Sequence, residues 1–264
     1  MTTVLKLGGE LLEDAAAMTA MAAAIRTLAS REQVVVVHGG GRAIDAELRA
    51  RGLEPKFVDG LRITDAAALE TVVSVLAGRT NTAFVAALHA AGVRAVGLTG
   101  ADAGLGLSKV AGLLTTAAGE RVDLGLVGEP AGGPAVLVQD LAGLGYVPVV
   151  ASIGVAPDGA LLNVNADTMA GHLAGAIGAG RLIIAGGTAG VLDERGAPIA
   201  TLTLDSVEAM IASGTAHSGM VAKLVACRSA LAAGVPAVAI VSGRGVSDFD
   251  EAIGTQIRST EVSA

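Results

Sequence analysis

Only one cysteine, Cys227, occurs in the 264 residues of this chain. No intrachain disulfide can form, and a lone thiol inside the apolar, helically spaced stretch Lys223 to Ala233 reads as buried. Lysine is almost as scarce. Of 18 basic residues only Lys6, Lys56, Lys109 and Lys223 are lysine, so arginine is the default cation. No run of either is dense enough to follow a phosphate backbone, and with a formal net charge of -7 nucleic acid is a poor partner. No apolar core of signal-peptide length precedes Glu10, Glu13 and Asp14, and every long apolar stretch is broken by Gly, Pro or charge. Neither a secretory leader nor a membrane span is expected, and the lone thiol suits a reducing, cytoplasmic location.

The missing motifs exclude further classes. There is no G-x-x-x-x-G-K-[ST], which removes the P-loop enzymes, and no G-x-G-x-x-G after the first strand, which removes the main support for hydride transfer. His38-Gly39-Gly40-Gly41 has the composition of an esterase oxyanion hole, but no G-x-S-x-G nucleophile elbow accompanies it. His38, His89, His172 and His217 show no metal-ligand spacing, so no protein-bound metal is expected.

What is present is a chain that is 52% hydrophobic, enough to bury a large core as one domain or two joined lobes. Short runs rich in β-branched residues alternate with longer alanine-rich stretches, the signature of an α/β protein. Strands are expected at Val4 to Leu7, Val34 to His38, Ala95 to Leu98, Val147 to Ala151, Leu182 to Ala185 and Ala237 to Val241. Most are apolar on both faces, as buried parallel strands are. Helices are expected at Asp14 to Ala29, Arg42 to Arg51, Asp65 to Ala77, Thr80 to Ala91, Ala135 to Leu144, Ala166 to Ile177, Leu204 to Ala212 and Met220 to Ala233. The mixed stretch Lys109 to Pro134 reads as β-hairpin structure laid over a site.

Glycines cluster just after the strands, in Lys6-Leu7-Gly8-Gly9, His38-Gly39-Gly40-Gly41, Thr99-Gly100-Ala101-Asp102 and Ala185-Gly186-Gly187-Thr188-Ala189-Gly190. In an open parallel sheet the carboxyl ends of the strands form the ligand crevice, and glycine lets backbone N–H groups approach an anion. One such cluster is an ordinary strand-to-helix turn; four in register point to a phosphorylated ligand. In a chain that otherwise uses arginine, a lysine ending the first strand and another after Ser218-Gly219-Met220 suggest tasks for a compact ammonium. Asp167, in Asn163-Val164-Asn165-Ala166-Asp167, is equally explained by a favourable helix dipole.

These segments resemble the amino acid kinases, and within them the N-acetylglutamate kinases. The likeness runs through KLGG at 6 to 9, VHGGG at 37 to 41, DGLRIT at 59 to 64, AGRTN at 77 to 81, GLTGADA at 97 to 103, PVVASIGV at 148 to 155, NVNAD at 163 to 167, SGMVAKL at 218 to 224 and GTQI at 254 to 257. The resemblance implies a three-layer αβα sandwich with a mainly parallel open central sheet. Residues 1–170 would form an N-terminal lobe for acyl-amino-acid binding and dimerisation, and 171–264 a C-terminal lobe for ATP. Carried over by position, Gly40, Gly41, Arg62 and Asn163 would hold N-acetyl-L-glutamate, with Lys6, Lys223 and Asp167 catalytic. Gly8 and Gly9, the run Gly187, Thr188, Ala189, Gly190, Val191 and Leu192, and Thr215, Ala216 and His217 would meet the nucleotide. Mg²⁺ is expected to travel with the ATP phosphates.

One departure stands out. Where the family has a Ser/Thr-Asp-Val stretch, this chain reads Gly186-Gly187-Thr188, so a carboxylate is missing from the nucleotide site. Either backbone groups carry the contact or nucleotide use is altered. Because the first strand starts almost at Met1, without the extra helix of the family's arginine-inhibited hexamers, a homodimer without arginine feedback is expected. Two rival readings are a sister kinase for another carboxylated amino acid, and a non-catalytic sensor of nucleotide or amino acid.

Overall fold

The computed structural model describes residues 1–116, 119–193, 195–216 and 218–259. The first half runs β1 (Thr2–Leu7), α1 (Ala15–Ala29), β2 (Gln33–His38), α2 (Gly41–Ala50), β3 (Phe57–Val58), β4 (Leu61–Arg62), α3 (Ala66–Val73), α4 (Asn81–Ala90) and β5 (Ala95–Thr99). A run of short strands follows: β6 (Ser108–Val110), β7 (Leu113–Thr115), β8 (Arg121–Asp123) and β9 (Val127–Pro130). Then come α5 (Val136–Gly143), β10 (Val147–Ala151), β11 (Ile153–Val155), β12 (Leu161–Val164) and α6 (Ala166–Ala176). The chain closes with β13 (Arg181–Gly186), β14 (Thr201–Thr203), α7 (Leu204–Ala212), α8 (Ser218–Ala232), β15 (Ala237–Ser242) and β16 (Gly254–Arg258).

The central sheet has eight strands in the order β14-β16-β15-β13-β1-β2-β10-β5. Strands β15, β13, β1, β2, β10 and β5 are mutually parallel. Strict alternation along them sends one set of side chains to each face. Leu5, Leu7, Val34, Val36, Ile183 and Ala185 pack with Met21, Ile25 and Leu28 of α1 and Phe84 and Leu88 of α4. Val4, Val35, Val37, Leu182 and Ile184 pack instead with Val138 of α5, Leu173 of α6 and Leu224 and Cys227 of α8. The result is the expected αβα sandwich, and Lys6, of the same parity as Val4, emerges on the α6 face.

Each of the six expected strands and eight expected helices forms, with ends shifted by a few residues, but two features differ. The helices expected at Asp65 to Ala77 and Thr80 to Ala91 are joined without a break, because Ser74–Thr80 adopts π-helical geometry that carries the chain past Gly78. By length and composition alone the combined helix Ala66–Ala90 would suffice to cross a membrane. Its Phe84 and Leu88 are nevertheless fully buried against α1 and the sheet. The second difference is β16, which runs antiparallel to β15 and carries β14 at the sheet edge. Its exposed Gln256 and Arg258 hide it from a search for runs apolar on both faces.

A second sheet, β11-β12-β9-β6, and the hairpins β3-β4 and β7-β8 stand beside the carboxyl ends of the central strands. The expected hairpin region between Lys109 and Pro134 is therefore strand structure, and Leu113, Leu114 and Thr115 of β7 wall the main cavity. The boundary expected at residue 170 falls inside α6, and β13 pairs directly with β1, so one sheet continues across it.

Candidate active site

Because β1, β2 and β13 are parallel and in register, their carboxyl ends bring Gly8 and Gly9, Gly39 to Gly41, and Gly186 and Gly187 to one edge. The loops touch backbone to backbone: a Cβ on Gly9 would stand 2.7 Å from Cα of Gly40. Only glycine at position 9 permits that approach. The glycine cluster after β5 behaves differently. Asp102 Oδ2 accepts the Thr99 N–H at 2.6 Å and the Thr99 hydroxyl at 2.9 Å, and the turn lines a separate groove with Asn81 and Val85. Three of the four clusters converge on the main cavity or its rim; the fourth is a capped turn.

The main cavity, of about 420 Å³, is walled by Lys6, Gly8, Gly9, Gly40, Gly41, Arg62, Asn163 and Asp167 among others. Asp167 is brought there by the start of α6. Asn165 caps that helix, its Oδ1 accepting the N–H groups of Asp167 at 2.9 Å and Thr168 at 3.1 Å, so Asp167 sits in the first turn. Asp167 Oδ1 lies 2.9 Å from Lys6 Nζ and Oδ2 lies 3.3 Å from Lys223 Nζ. The Lys6 approach is off the line of a good hydrogen bond, so charge holds that pair. Lys6 and Asp167 are nearly solvent-free, at 5% and 5% exposure. Burial works against the Asp167 carboxylate, but Lys6 and Lys223 outweigh it and hold its pKa below the usual range. Burial lowers the Lys6 pKa; Asp167 opposes that shift and Lys223 adds to it.

Arg62 forms the other pole. Its Nη2 donates to Asp45 Oδ1 at 2.6 Å and to the Gly41 carbonyl at 3.3 Å, and its guanidinium lies 4.6 Å from the centre of the Phe57 ring. Its buried Nη1 has no hydrogen-bond partner. A buried donor left unpaired is costly, so this nitrogen is set up for an acceptor arriving in the cavity. Asn163 Nδ2 donates to Thr64 Oγ1 at 3.0 Å, and its side chain borders the same space.

Of the residues expected to meet the nucleotide, Gly8 and Gly9 line this cavity and the other described ones lie outside its walls. The Gly187 N–H donates to Glu10 Oε1 at 2.8 Å. Thr188 and Leu192 are exposed, Ala189 is half-buried, and Val191 is a core residue whose N–H donates to Thr255 Oγ1 at 2.8 Å. Gly190, at φ 101°, packs against the same Thr255. Thr215 is exposed beside Ser213, Ala216 is buried, and His217 lies outside the described residues. Among the described residues no group of three or more His, Cys, Asp or Glu is placed to hold a metal ion.

Sequence reasoning passed over Glu10, Asp45, His38 and Asn81. Asp45 was visible in principle, since it follows Gly41 by one helical turn and so faces the same way. Glu10 had no such signal, because only the fold brings β13 beside β1.

The chain resembles known proteins over nearly its whole length. The family model described as "Amino acid kinase family" matches residues 1–242. An acetylglutamate kinase from Acidiphilium cryptum is 42% identical over 92% of this chain and 83% of its own. One from Symbiobacterium thermophilum is 40% identical over 97% and 91%, and one from Methanopyrus kandleri 38% identical over 92% and 96%. Among solved structures, a Neisseria gonorrhoeae N-acetylglutamate synthase in complex with coenzyme A and N-acetyl-glutamate superposes with a TM-score of 0.83. It is 22% identical and matches 99% of this chain and 60% of its own, which speaks to the fold alone. A Giardia lamblia carbamate kinase superposes at 0.66, with 15% identity over 98% of each chain. The family match and these relatives show that this chain belongs to the amino acid kinase family, among the acetylglutamate kinases.

Proposed function

We propose that this enzyme transfers the γ-phosphoryl group of ATP to the side-chain carboxylate of N-acetyl-L-glutamate, forming N-acetyl-L-glutamyl 5-phosphate for arginine biosynthesis. The observation that carries the reading is Asp167 bridging the ammoniums of Lys6 and Lys223 at the edge of a cavity whose opposite pole is the unpartnered Nη1 of Arg62.

The chemistry asks little of a general base. An acceptor carboxylate is already a nucleophile: its oxygen forms a bond to phosphorus, the bond to the ADP oxygen breaks, and no proton moves. Catalysis then consists of alignment and charge neutralisation. Lys6 would meet the transferring group and Lys223 the charge growing on the leaving side, with Asp167 holding both. Backbone N–H groups of Gly9 and Gly41 would face the equatorial oxygens, whereas the Gly8 N–H is committed to the Ala185 carbonyl at 2.9 Å. Arg62, Gly40, Gly41 and Asn163 would hold the acyl amino acid from residues 1–170. Residues 187–192 and 215–217 would meet ATP in the lobe 171–264. Asp167 is already neutralised by two ammoniums, so the site suits Mg²⁺ held by phosphate oxygens, where it spreads the leaving group's charge. A homodimer in the cytoplasm completes the proposal, supported by the half-buried edge strand β5 and the reduced, buried Cys227.

The test is hydroxylamine trapping of acyl phosphate with MgATP and N-acetyl-L-glutamate, beside glutamate and N-acetylaspartate as controls. Selective product with acetylglutamate is expected. Product with another acceptor would mean a sister kinase; none with any acceptor, from folded protein, would mean a sensor.

A further inference from the structure

We propose that Arg244 is a further nucleotide-binding residue, gripping the polyphosphate of ATP from the space that the missing side chain at position 187 leaves open. This deepens the kinase reading and rests on it. The starting observation is steric. A Cβ built on Gly187 would stand 3.2 Å from Nη2, 3.3 Å from Nε and 3.5 Å from Cζ of Arg244. The guanidinium therefore lies against the glycine, and a Cβ there would require it to give way by a few tenths of an ångström.

The backbone holds Arg244 in that place. Gly186 is in register with Ser242, the Gly243 N–H donates to the Gly186 carbonyl at 2.8 Å, and the Arg244 N–H donates to Ser242 Oγ at 3.3 Å. Two adjacent parallel strands thus end together, and the residue after the second strand reaches over the residue after the first. The guanidinium makes no ion pair and no hydrogen bond among the described residues, while nine of the other described cations of this chain are paired with carboxylates.

The surroundings already accept an anion. The Gly187 N–H is taken by the Glu10 carboxylate, and a Cβ on neighbouring Gly186 would lie 3.3 Å from that carboxylate and 3.7 Å from Cε of Lys223. Along the Gly186–Gly187 turn, Lys223 thus stands beside the first glycine, the Arg244 guanidinium beside the second, and the amide between them is bonded to Glu10. A planar guanidinium is suited to bidentate binding of phosphate oxygens. On this account the absent carboxylate at 187 does not weaken the nucleotide site. It exchanges an anion for room in which a cation can lie.

The test is calorimetric titration of the intact enzyme with ATP, ADP and adenosine, for the wild type, Arg244→Ala, Arg244→Lys and Gly187→Asp. Loss of a charge-assisted contact should weaken ATP binding by about tenfold or more in Arg244→Ala. ADP should weaken too, adenosine should be unchanged, and Arg244→Lys should recover part of the loss. Gly187→Asp should weaken ATP in the wild-type background and add less in the Arg244→Ala background. Unchanged ATP affinity in Arg244→Ala would overturn the assignment, as would a parallel loss for adenosine. Acyl phosphate formation by the wild type is measured separately. ATP affinity lost in the variant, with no acyl phosphate from the wild type, would retain Arg244 as a phosphate ligand and overturn the reaction.

Discussion

Asn81 donates through Nδ2 to Nε2 of His38 at 3.0 Å and to the Val149 carbonyl at 2.9 Å, tying together the ends of β2 and β10. Nε2 of His38 is thereby an acceptor, which leaves the proton on Nδ1, 3.1 Å from the Gly39 carbonyl. The neutral ring thus anchors the first peptide of the glycine loop. Burial pushes its pKa down to about 4, with the Gly39 contact working the other way. In the unfolded chain the ring takes up a proton below about pH 6.5. Its contribution to stability is therefore complete above that pH and is lost as pH falls towards 4, a difference on the order of 3 kcal/mol. Urea denaturation at a series of pH values should show a steeper acid loss in the wild type than in His38→Asn; identical slopes would contradict a neutral, buried His38.

Asp167→Asn removes the one anion between Lys6 and Lys223 while keeping the shape of the side chain. The two ammoniums then repel each other, and both lose the partner that fixes their direction. The expected result is a fall in kcat of about a hundredfold or more. Leaving a buried ammonium unpaired should also cost stability, on the order of 3 kcal/mol. Steady-state kinetics and thermal denaturation on the same sample would check both. A variant with wild-type kcat would remove Asp167 from the catalytic group.

Asp45 is a positioning residue for Arg62. It holds Nη2, and the free nitrogen of the fork, Nη1, is the one left for a ligand. Asp45→Asn keeps the size but weakens that hold. The KM for acetylglutamate should rise by about tenfold with kcat and the KM for ATP little changed, the pattern of lost binding that is equal in ground and transition states. Arg62→Lys, which cannot reproduce the fork, should raise it further. Equal effects on both substrates would instead indicate a general loosening of the loops around α2.

The layers of the fold were legible because burial writes itself into sequence. Val34 to Val37 face both ways into helices and are apolar throughout, and α1 announces its start with Asp14, whose carboxylate caps it. The site was half legible. Lys6, Gly9 and Asp167 occupy strand and helix ends, and their meeting follows from a parallel sheet. Glu10, Arg244 and the His38–Asn81 pair were not legible, because each acts across a sequence gap that only the strand order closes. Arg244 is brought to Gly187 by the pairing of β15 with β13, and nothing local to either residue records it.

Glu10 gives the sharpest expectation about nucleotide binding. Its Oε1 accepts the Gly187 N–H at 2.8 Å, and both oxygens would stand 2.5 Å from a Cβ on Gly8. The carboxylate thus occupies ground between two glycine loops that a phosphate oxygen would also seek. A phosphate arriving there meets like charge and must displace an existing hydrogen bond. Glu10→Gln removes the charge and leaves a weaker acceptor on the same amide. The KM for ATP should therefore fall by about threefold or more, with the effect shrinking as salt is raised and charges are screened. Weaker ATP binding in Glu10→Gln would show the opposite, that the carboxylate serves the nucleotide when bound instead of competing with it.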